Sequence, residues 1–191
     1  MGVAKVAELK KPAEMPKPTD KQISDFYVRL GVTLAAWQFV EVAIFNIYAS
    51  VIGAESKDHY NALAASFHTP MSFQIKLNMT DQAIQWACQD ASLITEWDKL
   101  YKRTHNKNQR RNKIVHSMVM FDPSRQGDNE QLFLSQNIAD PKRFDPNFSA
   151  GSVISQTELD AALEVFIALQ QDLHYFHLRL APPIRPAQSS P

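Results

Sequence analysis

Arg111, Asn112 and His116 stand in the segment RNKIVHS, which places a guanidinium, an amide and an imidazole within a short stretch. An imidazole titrates near neutral pH. It can take the proton from a ribose 2′-hydroxyl or return one to a leaving oxygen, while a planar guanidinium fork holds phosphate oxygens. Such chemistry needs no metal. It acts on RNA alone, because DNA lacks the 2′-hydroxyl, and it leaves a 2′,3′-cyclic phosphate end. On a helix, at about 100° per residue, Asn112 and His116 share a face one turn apart. Arg111 lies about 140° from His116 and must swing its long side chain round to join them. The alternative is a histidine that only caps or packs at a helix end.

The motif sits in a charged setting. Between Lys99 and Phe121 there are seven Lys or Arg residues and no Asp or Glu. Of these, Lys102, Arg103, Lys107, Arg110 and Lys113 are candidates for binding phosphate, since cations grouped on one element release counterions from a nucleic-acid backbone. A merely solvated helix face is the competing reading. The chain as a whole carries 20 basic and 20 acidic residues, so its neutrality is an average. Removing those seven from the 20 leaves 13 against 20 acids: an acidic body with one cationic element.

The elements that position the motif read as helices. Five glycines in 191 residues are few for the tight turns of an all-β fold and leave no glycine-rich phosphate loop. A long first helix is expected up to Gly53, from apolar residues at three- and four-residue steps between Ile23 and Val51. A short helix over 57–66 follows. Thr69 and Pro70 then have the N-cap and first-turn pattern of a third helix that carries Phe73, Leu77, Ile84 and Trp86. Asp90 caps a fourth helix, which runs through the cationic segment to a restored apolar face at Ile114, Val115, Met118 and Val119. Prolines and Gly127 predict an irregular insertion near 120–150, with a short hairpin around QLFLSQ. Ser155 and Glu158 form a capping box for the last helix. Residues 1–21 and the Pro-rich 182–191 read as tails around a single domain at 22–181.

On RNKIVH and this helical order, the sequence resembles the HEPN superfamily of all-helical domains. Its catalytic members carry Arg, four to six residues, then His, usually with a polar residue after the Arg. The resemblance covers 22–180 loosely, and its specific part is the motif. It implies an all-α, HEPN-like bundle of about five helices and a metal-independent endoribonuclease, in which Arg111 and His116 are catalytic and Asn112 supports them. Arg110 also falls within the allowed spacing. The resemblance further implies a homodimer that sets two motifs side by side, and a toxin or antiviral effector with a cognate antitoxin or regulatory protein. The alternative is a non-catalytic HEPN-like module that binds RNA, a nucleotide or a protein partner. No cofactor is expected.

Glu41 interrupts an apolar stretch, and a buried carboxylate needs a cationic partner. In similar HEPN proteins an acid on the first helix lies near the motif, so Glu41 is a candidate to orient Arg111 or His116; a solvent-facing position is the alternative. His174 and His177 are one turn apart, yet no further ligand completes a metal set. Cys88 reads as a single buried thiol, and Trp37, Trp86 and Trp97 fall at core positions. The apolar run over 32–54 contains Gln38, Glu41 and Asn46. A charge at bilayer depth costs about 3 kcal/mol, so a buried or amphipathic helix is expected there, with no membrane span. The N-terminus lacks an apolar signal region, and a cytoplasmic location is expected.

Overall fold

In the computed structural model the described residues are 17–53, 56–127, 130–135 and 153–180. Residues 1–16 of the expected tail at 1–21, the expected tail at 182–191 and most of the irregular insertion lie outside them. The fold is mostly helical, as the periodicity predicts. It comprises α1 (Asp20–Ile52), α2 (Lys57–His68), α3 (Phe73–Ala87), α4 (Ala91–Val115), β1 (Met118–Phe121), β2 (Leu132–Ser135), β3 (Val153–Ser155) and α5 (Gln156–Leu180).

α1 begins at Asp20, slightly before the expected start. The hydroxyl of Thr19 accepts from the Gln22 N–H and the Gln22 side chain accepts from the Thr19 N–H, which together satisfy two otherwise orphaned donors. Gly53 ends the helix with φ 79°, a left-handed conformation that favours glycine. By length and composition α1 is able to cross a membrane, and 44% of its most apolar window is buried in the bundle. Phe26, Trp37, Val40, Ile44 and Ile47 form its inward seam, while Val28, Val32, Phe39 and Val42 stay exposed. The helix is therefore apolar on both sides rather than simply amphipathic.

Side-chain pairs fix the helix directions. Thr33 reaches the Leu159 carbonyl, Trp37 packs on Phe166 and Ser50 bonds His177, so α5 runs parallel to α1. Trp37 with Phe73 and Glu41 with Lys76 make α3 parallel to α1 as well. α4 runs the other way: Trp97 meets Phe176 and Asp81 near its start, and His105 meets Gln74 further on. These four helices close a bundle around Trp37, Trp97, Phe166 and Phe176. α2 lies across the C-terminal end of α1, where Phe67 packs on Phe45 and Tyr48.

Five local expectations are corrected. Thr69 does not open α3; it ends α2 with its hydroxyl donated to the Ala65 carbonyl, Pro70 follows the stop, and α3 starts after Ser72. Met118 and Val119 do not continue α4. The helix closes at His116, and Met118–Phe121 become a strand. The expected hairpin is a three-stranded antiparallel sheet in the order β1–β2–β3, with Met118 opposite Ser135 and Ser135 opposite Val153. Leu132, Leu134 and Ile154 dock it onto the core. Trp37 and Trp97 are fully buried, but Trp86 is 86% exposed and is no core residue. Cys88 is free and only half-buried.

Candidate nucleic-acid interface and catalytic motif

Asp90 nucleates the helix that carries the site, its carboxylate accepting from the N–H groups of Ser92 and Leu93 at 2.8 and 3.3 Å. From there α4 is uninterrupted for 25 residues. Its contacts divide it into three sectors. Trp97, Leu100, Thr104 and Asn108 face inward and are buried. Tyr101 and His105 face α3, through Asn78 and Gln74. Lys99, Lys102 and Lys113 are exposed on the outer face.

Asn112 and His116 continue the α3-facing flank, as the one-turn spacing predicts, and the His116 N–H donates to the Asn112 carbonyl at 3.0 Å. Arg111 belongs by helical angle to the inward sector, three residues beyond Asn108. Its side chain turns out of that sector, and Nη1 donates to Asn112 Oδ1 at 3.2 Å. The guanidinium thus joins Asn112, and no hydrogen bond links it to His116 among the described residues. The bond occupies Asn112 Oδ1 and leaves the Asn112 amide N–H groups as donors on the flank of His116. His116 is the exposed C-cap residue, and among the described residues its ring makes no hydrogen bond.

The inward sector changes character towards the motif. Thr104 and Asn108 are buried, and Thr104 Oγ1 and Asn108 Oδ1 have no hydrogen-bond partner among the described residues. Unpaired polar atoms of this kind lower stability, which marks the motif-bearing half of α4 as less well satisfied than its first half.

The cations fall into two groups. Arg103 is ion-paired with Asp172, and Arg110 donates from Nη2 to the Glu158 carbonyl at 2.9 Å, so both guanidinium groups tether α4 to α5. Lys102, Lys107 and Lys113 make no ion pair among the described residues, and Lys102 and Lys113 are exposed. The usable charge is thus narrower than the sequence suggests. Arg111 rather than Arg110 is the arginine free to serve the motif.

Glu41 is not near Arg111 or His116 by any hydrogen bond among the described residues. Its partner is Lys76 of α3, with Nζ to Oε2 at 3.1 Å and side chains only 11% and 13% exposed for Lys76 and Glu41. The expected cationic partner exists, but it belongs to the α1–α3 interface. No group of three or more metal-ligating side chains occurs among the described residues. The His174 and His177 rings lie 6.3 Å apart, and His177 Nε2 is engaged by Ser50 at 2.8 Å.

Sequence reasoning missed one constellation. His105 Nδ1 lies 2.7 Å from Gln74 Oε1, Gln74 Nε2 donates to Asn78 Oδ1 at 2.8 Å, and the Tyr101 hydroxyl donates to the same oxygen at 2.8 Å. Tyr101 and His105 carried a sequence signal, since they precede Asn112 and His116 by one constant interval, but their α3 partners carried none. Comparisons with family models, with curated proteins and with solved structures find no match to this chain.

Proposed function

We propose that this chain is a metal-independent endoribonuclease of HEPN type that acts as a homodimer, with Arg111 and His116 as its catalytic pair and Asn112 in support. The observation that carries the reading is the Arg111–Asn112 hydrogen bond, which turns the guanidinium towards the flank that bears His116. The 2′-oxygen attacks the adjacent phosphorus as His116 takes its proton, the bond from phosphorus to the 5′-oxygen breaks, and that oxygen is protonated as it leaves. Arg111 and the Asn112 amide neutralise the charge that builds on the non-bridging oxygens. Two motifs brought together in the dimer supply one imidazole for each proton transfer.

The test is cleavage of single-stranded RNA by the purified protein in EDTA. Arg111→Ala and His116→Ala are expected to reduce the rate by about a hundredfold or more, with 2′,3′-cyclic phosphate ends as product and a 2′-deoxy substrate left intact. Full activity in both variants overturns the assignment. As a toxin or antiviral effector the protein arrests growth when expressed alone, and His116→Ala relieves the arrest; a cognate antitoxin or regulator does the same.

That the His116 ring has no hydrogen-bond partner among the described residues favours a second reading, a non-catalytic HEPN-like module that binds RNA, a nucleotide or a protein partner through the same flank. It predicts salt-sensitive binding without turnover.

A further inference from the structure

Two similar stations occur on α4. Tyr101, Lys102 and His105 are followed eleven residues later by Asn112, Lys113 and His116 in the same spacing. Eleven residues are three turns of an α-helix to within about 20°, so the second station lies almost directly beyond the first, about 16 Å along the axis. The second station is the cleavage motif. The first has no part in cleavage.

Its imidazole is held more firmly than that of His116. Gln74 Oε1 can only accept, so the His105 Nδ1 at 2.7 Å carries the proton. Gln109 Nε2 can only donate, so the His105 Nε2 at 3.5 Å is the acceptor. The Gln74 amide is fixed in turn by donation to Asn78 Oδ1, which also receives the Tyr101 hydroxyl. His105 is thereby oriented with Nδ1 towards Gln74 and with Nε2 on the open side, where its contact to Gln109 is long and weak. The Tyr101 ring lies beside it, within 9° of parallel. Exposed Lys102 borders this pair as Lys113 borders His116, and neither lysine has an acidic partner among the described residues.

An aromatic platform with one oriented acceptor and a neighbouring cation suits a nucleobase on a single strand. Resting on the ribonuclease reading above, we propose that His105, oriented by Gln74, is a specificity-determining residue that accepts a hydrogen bond from the exocyclic amine of a base two or three nucleotides from the scissile phosphate. That separation matches about 16 Å along a strand whose phosphates lie roughly 6 to 7 Å apart. Adenine, cytosine and guanine present such an amine. The ring N–H of uracil is flanked by two carbonyl oxygens, which face the same acceptor unfavourably.

The experiment uses the full chain carrying His116→Ala, so that RNA is bound and not cut, and reads fluorescence anisotropy of labelled hexa-adenylate. Purine riboside, which lacks only the amine, replaces adenosine at each position in turn. At one position, two or three nucleotides from the cut mapped with the wild-type protein, Kd is expected to rise about fivefold, the effect of one hydrogen bond. Adding His105→Ala is expected to abolish that difference while binding persists. Gln74→Ala, which frees the ring without removing it, does the same and serves if the His105 variant misfolds. No sensitive position, or the same sensitivity without His105, overturns the proposal while leaving the ribonuclease reading standing. A folded protein that binds no RNA overturns both.

Discussion

The guanidinium of Arg111 donates to Asn112 Oδ1 at 3.2 Å, although the two residues are neighbours in sequence and leave α4 in different directions. The bond draws Arg111 away from the inward face of the helix. Removing it by Asn112→Ala is expected to slow RNA cleavage about tenfold, less than loss of Arg111 itself, because the guanidinium remains but loses its tether. Single-turnover cleavage of one oligonucleotide by the two variants measures the ratio. Equal losses in both would overturn the supporting rank given to Asn112, since its own amide and its tether to Arg111 would then weigh as much as the guanidinium.

The Glu41–Lys76 pair is nearly buried, so its two members are expected to matter to stability and not to chemistry. Lys76→Ala leaves an uncompensated carboxylate and is expected to lower unfolding free energy by about 3 kcal/mol. Glu41→Gln combined with Lys76→Met is expected to recover most of that. Denaturant unfolding of the three proteins reads this directly. Cleavage per folded molecule stays at the wild-type level, which separates this role from orientation of the motif.

Burial, reinforced by the neighbouring His174, holds the His177 imidazole below its ordinary pKa. The folded state therefore favours the neutral ring. Above the ordinary value of 6.5 neither state is protonated and stability is unaffected. As pH falls through 6.5 the unfolded chain binds the proton first, so stability declines and goes on declining down to the lower folded value. Thermal melts from pH 7.5 to 5 are expected to show this loss, and His177→Gln, which keeps a polar partner for Ser50, is expected to reduce its slope.

The division of cations predicts two phenotypes. Lys102→Ala and Lys113→Ala are each expected to reduce the dependence of log Kd on log salt by about 0.7 for single-stranded RNA. Arg103→Ala and Arg110→Ala, which release α5 contacts, are expected to change this slope less and to lower the melting temperature. For the partly exposed Arg103–Asp172 pair that loss is about 1 kcal/mol or less. Binding titrations at several salt concentrations, beside melting curves, distinguish the groups.

Much of this protein is written locally. The cap at Asp90, the capping box at Ser155 and Glu158 and the stop at Gly53 depend on residues within one turn, and each is legible in the chain. The continuity of α4 and the shared flank of Asn112 and His116 follow from the same short-range geometry. The failures are of another kind. Val153 and Ile154 gave no sign of pairing, because a strand of three residues is defined by its partner β2. Trp86 carries helical spacing but stands where no element among the described residues covers it.

The site divides in the same way. The residues RNKIVH fixed the kinds of group available and the turn they occupy. Tertiary packing decided which arginine is free, since Arg110 is taken by the Glu158 carbonyl of α5. It gave Glu41 to Lys76, and it oriented the ring of His105 through Gln74. Hydrogen bonds within a turn depend on the chain's own geometry, whereas these partners depend on the register between helices 31 to 48 residues apart in sequence.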